Sequence, residues 1–180
     1  MVNQVDSLQV GTEAYDYFSQ LYQEYYPKIY NYTIYRVGDP NIAEDLVSEV
    51  FEKVLLNYYT YNSQKAKFST WLFAIANNTI INYYQKSKRQ RQVSFTYLQG
   101  SESKYHLEDM VIEQEAKEIL LKAIMCLEER QINIIALKFA AGQTNREIAT
   151  MLDLSESNVG TILYRALKHL RTLLNEVGTI

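Results

Sequence analysis

This sequence is poor in the residues that build most catalytic and metal sites. It holds one cysteine and two histidines in 180 residues. Cys126 has no partner for a disulfide within the chain, and no Cys/His cluster has the spacing of a zinc site. Cys126 lies in the apolar run AIMCL, which predicts a buried thiol. Six glycines and two prolines leave few turns, which favours a helical protein. No segment alternates polar and apolar residues for long enough to suggest a strand. No apolar run approaches membrane-spanning length. The start, MVNQVDSLQV, lacks a basic segment followed by an apolar one. That predicts no signal peptide and a soluble, cytoplasmic protein without stable membrane insertion. Glycine-rich phosphate cradles and nucleophile elbows are missing. Glu44, Asp45, Glu49 and Glu52 cluster on one segment, but no histidine or metal ligand accompanies them. The expectation is a non-enzyme with no catalytic residue, no metal and no cofactor.

One absence is positional. Residues 53–101 contain no carboxylate and seven bases: Lys53, Lys65, Lys67, Lys86, Lys88, Arg89 and Arg91. This stretch is net +7 in a chain of net −3, between a first 52 residues of net −7 and a 102–134 segment of net −4. Residues 135–180 carry only +1. The first half therefore predicts contact with a polyanion. Its bases interleave with tyrosine, of which the chain has sixteen. Cations can follow a phosphate backbone while bases stack on aromatic faces. Tyr58, Tyr59 and Tyr61, in the polar loop NYYTYNSQKAK, are the stacking candidates, whereas Phe68 and Trp71 read as core. The plainer account of the stretch is a solvated basic face over core tyrosines.

Helical periodicity organises the rest. Residues 12–36 predict a helix broken near Pro27, and Gly38-Asp39-Pro40 predicts a stop and restart. Ile42, Leu46, Val47, Val50, Phe51, Val54 and Leu55 then form one apolar stripe, opposite Glu44, Asp45, Ser48, Glu49 and Glu52. A long helix follows from about Ser69, its expected cap, to Arg89. Periodicity fails over residues 92–111, which read as a linker. A second helical set opens with Ile112, Ala116, Ile119, Leu120, Ala123, Ile124 and Leu127 in register, followed by a helix near 129–139 and a turn at Gly142. The expected fold is all-α: a domain over 1–91, a linker over 92–111, and a second domain over 112–180.

The second domain carries a helix-turn-helix pattern. Thr144 caps a helix whose inward positions are Ile148, Ala149 and Leu152. Asp153-Leu154-Ser155 makes the turn. In the next helix Val159, Ile162, Leu163, Ala166, Leu167 and Leu170 share one face, while Ser157, Asn158, Thr161, Tyr164, Arg165 and Lys168 share the other. Short polar groups near a helix N-terminus suit base edges and phosphates, and Arg165 can pair bidentately with phosphate or guanine. Gly160 costs roughly 1 kcal/mol of helix stability against alanine. Close backbone approach and simple tolerance account for it equally.

The order of parts adds a resemblance. AEDLVSEVFEKV precedes FSTWLFAIANNTIINYYQKSKR, and after the linker comes LEERQINIIALKFAAGQTNREIATMLDLSESNVGTILYRALKHLR. Over about residues 12–175 the chain resembles the two-domain bacterial sigma factors of the extracytoplasmic-function type. The resemblance implies an all-helical subunit that binds core RNA polymerase and directs initiation at promoters with −35 and −10 elements. It implies docking on the β′ clamp helices through Asp45, Ser48, Glu49, Glu52 and Lys53. It implies −10 contacts by Tyr61, Lys67 and Asn78, with Lys86, Lys88, Arg89 and Arg91 along upstream phosphates. It implies −35 reading beside the β flap by Gly160, Thr161, Tyr164 and Arg165, with Asn145 and Arg146 on phosphates, and the helical spacing adds Ser157, Asn158 and Lys168 to the same DNA-facing side. An anti-sigma factor that occludes both domains is a further implied partner. The chain departs from the family pattern at Ser48, Ala74, Glu128, Gly160 and Ile162.

Two rival readings remain. The C-terminal half also resembles the DNA-binding domain of LuxR-type regulators, which would make the chain a stand-alone transcriptional regulator. A helical adaptor is the third. Neither accounts for an acid-free, tyrosine-laced stretch in the first half.

Overall fold

The computed structural model of the protein describes residues 4–93 and 111–177, with the side chains of 18–87 and 116–175. Most of the expected linker lies outside the described residues, as do the side chains of Lys88, Arg89 and Arg91. Every regular element among the described residues is helical, in two groups on either side of residues 94–110.

Helix α1, Gln4–Val37, runs straight through Pro27. The expected break does not occur. Proline removes one N–H and crowds the preceding turn, yet Ile29, Tyr32, Thr33 and Arg36 lie one helical turn apart and are all buried. Tertiary burial of that face outweighs the missing bond. Gly38, at φ +71°, ends the helix in a left-handed turn. Asp39 then caps α2, Pro40–Asn57, its carboxylate accepting from Asn41 and Ile42 N–H, with Pro40 in the first turn. The expected stripe of α2 is buried from Leu46 to Val54. Leu55 is the exception and is exposed, because no helix covers that side at the end of α2. A 3-10 turn, Tyr58–Thr60, leads into α3, Phe68–Val93. That start places Ser69 inside the first turn of the helix, not ahead of it.

In the second group α4, Val111–Met125, is followed by α5, Glu129–Ile135. Helix α5 continues as a π turn over Ala136–Ala140, closed by Ala141 N–H on Ala136 O. Cys126 sits in the turn after α4 and is exposed, contrary to its expected burial. The helix ends at Met125, so the 3.6-residue register that would turn the thiol inward no longer applies. Helices α6, Asn145–Leu152, and α7, Glu156–Val177, form the helix-turn-helix. The two groups are not separate cores. Ile29, Val47, Phe73 and Ile80 of the first pack in one cluster with Ile134, Leu137, Ile148 and Val159 of the second. A smaller cluster joins Ile124, Leu127 and Ile135 to Ala166 and Leu170.

Candidate nucleic-acid interface

The helix-turn-helix is held by local chemistry that the sequence announces. Thr144 Oγ1 accepts Glu147 N–H at 3.2 Å, and Thr144 N–H donates back to Glu147 Oε2 at 2.8 Å. This reciprocal box fixes the start of α6. Asp153 takes the left-handed conformation, and Leu154 N–H closes on Ala149 O. Ser155 Oγ accepts Asn158 N–H at 3.2 Å and caps α7. Val159, Ala166 and Leu170 face the core, with Ile162 and Leu163 half-buried. Leu167 belongs to the expected apolar face but is 40% exposed. Ser157, Asn158, Thr161, Tyr164, Arg165 and Lys168 are all exposed, Tyr164 to 69%.

Gly160 is half-buried, and a Cβ built there would meet only Asn145 Nδ2, at 3.9 Å. The fold itself has room for a side chain. Arg146 is exposed at the start of α6. Asn145 is half-buried, and its Oδ1 has no hydrogen-bond partner.

In the first group, Asp45, Ser48 and Glu52 are exposed along one side of α2. Glu49 and Lys53 lie on the same side and pair at 2.6 Å, and Lys53 Nζ also donates to Thr79 Oγ1 on α3 at 3.0 Å. Asn78 and Lys86 are exposed on α3. Tyr61 is no free loop residue. It packs on Phe68 and Trp71, ring centroids 5.4 and 5.5 Å away. Phe68 and Trp71 are only partly buried, so the expected division into core rings and loop rings gives way to one shared aromatic cluster. Tyr59 is the open one, 84% exposed.

Lys67 brings the two groups together. Its Nζ lies 3.0 Å from Glu147 Oε1. Partial burial would raise the Glu147 carboxyl. Thr144 N–H, the Thr144 hydroxyl and Lys67 more than offset that and hold it below the ordinary carboxylate value.

Sequence reasoning missed a buried polar cluster between the groups. Tyr32 OH donates to Asn133 Oδ1 at 2.9 Å and lies 3.2 Å from Asn77 Oδ1. Asn133 Nδ2 donates to Asn77 Oδ1 at 3.0 Å, and Arg36 Nη1 reaches the same oxygen at 3.3 Å. Burial pushes the Tyr32 phenol up to about 12, although the Arg36 guanidinium pulls the other way. The available signal was asparagine inside two apolar runs, Asn77 in IANNTII and Asn133 in QINIIAL.

Comparison with known proteins follows the same division. Residues 21–90 match the family model for Sigma-70 region 2, and residues 117–170 match that for Sigma-70, region 4. The chain is 34% identical over 175 residues to the ECF RNA polymerase sigma factor BldN of Streptomyces coelicolor, covering 97% of this chain and 66% of BldN. It is 32% identical over 160 residues to the ECF RNA polymerase sigma factor SigX of Bacillus subtilis, covering 86% of this chain and 81% of SigX. Its fold is similar to that of the sigma factor RpoE in complex with the anti-sigma factor NepR from Bartonella quintana. There the TM-score is 0.72 at 22% identity, over 88% of this chain and 96% of that one. CnrH in complex with the cytosolic domain of CnrY gives a TM-score of 0.64 at 19% identity, over 88% of each chain.

Proposed function

The chain belongs to the ECF sigma factors of RNA polymerase, and from that membership we propose how its residues divide the work of promoter-directed initiation. It binds core polymerase, recognises −35 and −10 elements and opens the start region, without catalysing a reaction itself. The observation that carries this reading is the pair of outward polar faces, on α2 and α7, whose apolar sides are buried.

The α2 face, Asp45, Ser48, Glu49, Glu52 and Lys53, docks on the β′ clamp helices. Lys53 is anchored to Thr79, so α3 fixes the position of this face relative to the −10 residues. Asn78 and Lys67 take the melted −10 strand, with Tyr61 contributing from the aromatic cluster. Lys86, Lys88 and Arg89 follow the phosphates upstream.

The α7 face reads the −35 element beside the β flap. Its N-terminal N–H groups and Ser157, Asn158 and Thr161 lie where the groove would be entered, and Arg165 and Lys168 follow one and two turns later. Arg146 and Asn145 meet phosphate from α6. The absence of a side chain at Gly160 leaves the backbone free to approach DNA. A region of net +1 has little phosphate affinity of its own. Core polymerase supplies the tether, which makes −35 binding intramolecular at high effective concentration. The anti-sigma factor NepR bound to RpoE supports a similar partner for this chain. The domains are proposed to span 1–91 and 112–180, and the site of action is the cytoplasm. Among the described residues no helix is long and apolar enough to cross a membrane.

The test is transcription by purified core polymerase with and without this chain. Promoter-specific transcripts should depend on its addition. Arg165→Ala should lower them by roughly tenfold or more, the size of one lost bidentate contact, at promoters that keep the −35 element. Core binding without specific transcripts would refute the reading.

A further inference from the structure

Glu49 and Lys53 stand one turn apart on the outer side of α2. The acid is N-terminal to the base, which is the favourable order for a helical pair. Surface pairs of this kind are usually weak, because two long side chains must be held in one geometry against water and salt. Here a third group does the holding. Lys53 Nζ lies 2.6 Å from Glu49 Oε1 and also donates to Thr79 Oγ1 on α3 at 3.0 Å.

Thr79 is no surface residue. It is 1% exposed, and it sits between the outward Asn78 and the buried Ile80. Core packing of Val50 and Val54 on α2 with Phe73, Ala76 and Ile80 on α3 keeps the two helices together. The Thr79 hydroxyl therefore has a set position relative to α2. It is the fixed end of a chain that runs through Lys53 to Glu49.

The ammonium carries three N–H donors. One goes to Thr79 and one to Glu49. A lysine that docked by itself would extend its head into water, as its long stem allows. Lys53 instead turns its head toward a buried oxygen. Valine would fill the same space at position 79 without needing a polar partner. The hydroxyl there has its use in the ammonium that it receives.

We infer that Thr79 is a positioning residue for the core-docking surface, which holds the Glu49 carboxylate in one outward orientation through Lys53. The inference rests on the sigma-factor reading above, and within the α2 face it makes Lys53 a strut in place of a direct contact. A carboxylate that is held before docking has less rotational freedom to lose when it docks. Without the strut the charge stays and its direction is released. Association then weakens with no change in net charge.

Competition binding of the full chain to core polymerase tests this. Thr79→Val keeps shape and charge and removes the hydroxyl. Lys53 is partly exposed, so water replaces the lost acceptor and folding is not at stake. Core affinity should fall roughly fivefold, or about 1 kcal/mol. Thr79→Ser should keep the parent affinity. In a chain carrying Glu49→Ala, Thr79→Val should have no further effect. Promoter-specific transcription by Thr79→Val should return to the parent level once the chain saturates core, because only docking is weakened. In the free chain, carbon-13 relaxation of the Glu49 side chain should show more motion in Thr79→Val than in the parent.

Unchanged core affinity in Thr79→Val overturns the inference. So does an equal loss in the Glu49→Ala chain, or a Thr79→Ser chain as weak as Thr79→Val. A transcript deficit that persists at saturation overturns it as well, by assigning Thr79 to its neighbour Asn78 and the −10 strand. A chain that shows the expected change in Glu49 motion but never binds core would defeat the sigma reading and leave the strut standing.

Discussion

Gly160 stands in a helix where alanine would find room, since the nearest atom to its Cβ would be Asn145 Nδ2 at 3.9 Å. Gly160→Ala should therefore raise stability by about 1 kcal/mol while reducing promoter-specific transcription. Calorimetry and transcription on one preparation check both, and a stabilised variant with full activity would assign the glycine to tolerance. Tyr32 gives a second test at this scale. Its folded-state value, about 12, lies above the ordinary 10.0. Its contribution to stability is therefore complete below pH 10 and is lost as the pH rises toward 12. The loss is on the order of 3 kcal/mol. Urea titrations from pH 9 to 12 should show this decline, and Tyr32→Phe should flatten it. An equally steep decline in the phenylalanine variant would reject Tyr32 as its source. The polar face of α7 was legible residue by residue, because 3.6-residue spacing alone sorts Ser157, Thr161, Tyr164 and Arg165 from Val159 and Ala166. Lys67 was legible as a cation, but its partner Glu147 was not, because nothing near it in sequence points to a residue in the other group.

Helices form where caps and periodicity agree, and here local signals mostly sufficed. Asp39, Thr144 and Ser155 cap as their residue types predict. Pro27 shows where local reasoning stops. It is exposed, and α1 continues through it because the turns that follow are buried, at Ile29, Tyr32, Thr33 and Arg36. Pro27→Ala restores an N–H and removes the steric clash without touching the core. Thermal melting should show stabilisation of up to about 3 kcal/mol. An unchanged or lower melting temperature would mean that the helix is strained elsewhere, or that proline's stiffening of the unfolded chain offsets the gain. Leu55 shows the converse, since it continues an apolar stripe past Val54, its last buried member, while Leu167 lies at the edge of its stripe, exposed between the buried Ala166 and Leu170.

At the scale of the whole molecule, charge and tethering govern function. The acid-free stretch and the acidic α2 face belong to one helical group, so the proposed core docking and the proposed −10 capture would be mechanically joined. Asp45→Ala with Glu49→Ala should weaken core binding about tenfold, or about 1.4 kcal/mol. Stability should change by under about 1 kcal/mol, because the Glu49–Lys53 pair is at the surface. Competition binding against core polymerase measures the first and melting the second. Unchanged affinity would remove α2 as the docking face.

The sequence alone determined most of the helices, the caps at Thr144 and Ser155, the helix-turn-helix and the uneven charge, because each depends on residues within a few turns of one another, whereas Ser69 proved to lie inside α3 and not to cap it. Only the tertiary structure decided that Tyr32, Asn77 and Asn133 meet, across separations of 45, 56 and 101 residues. It also decided that α1 survives Pro27, that Cys126 faces outward, and that Lys67 reaches Glu147. Hydrogen bonds and burial at such distances follow from how helices pack, and neither helical period nor capping chemistry carries that information.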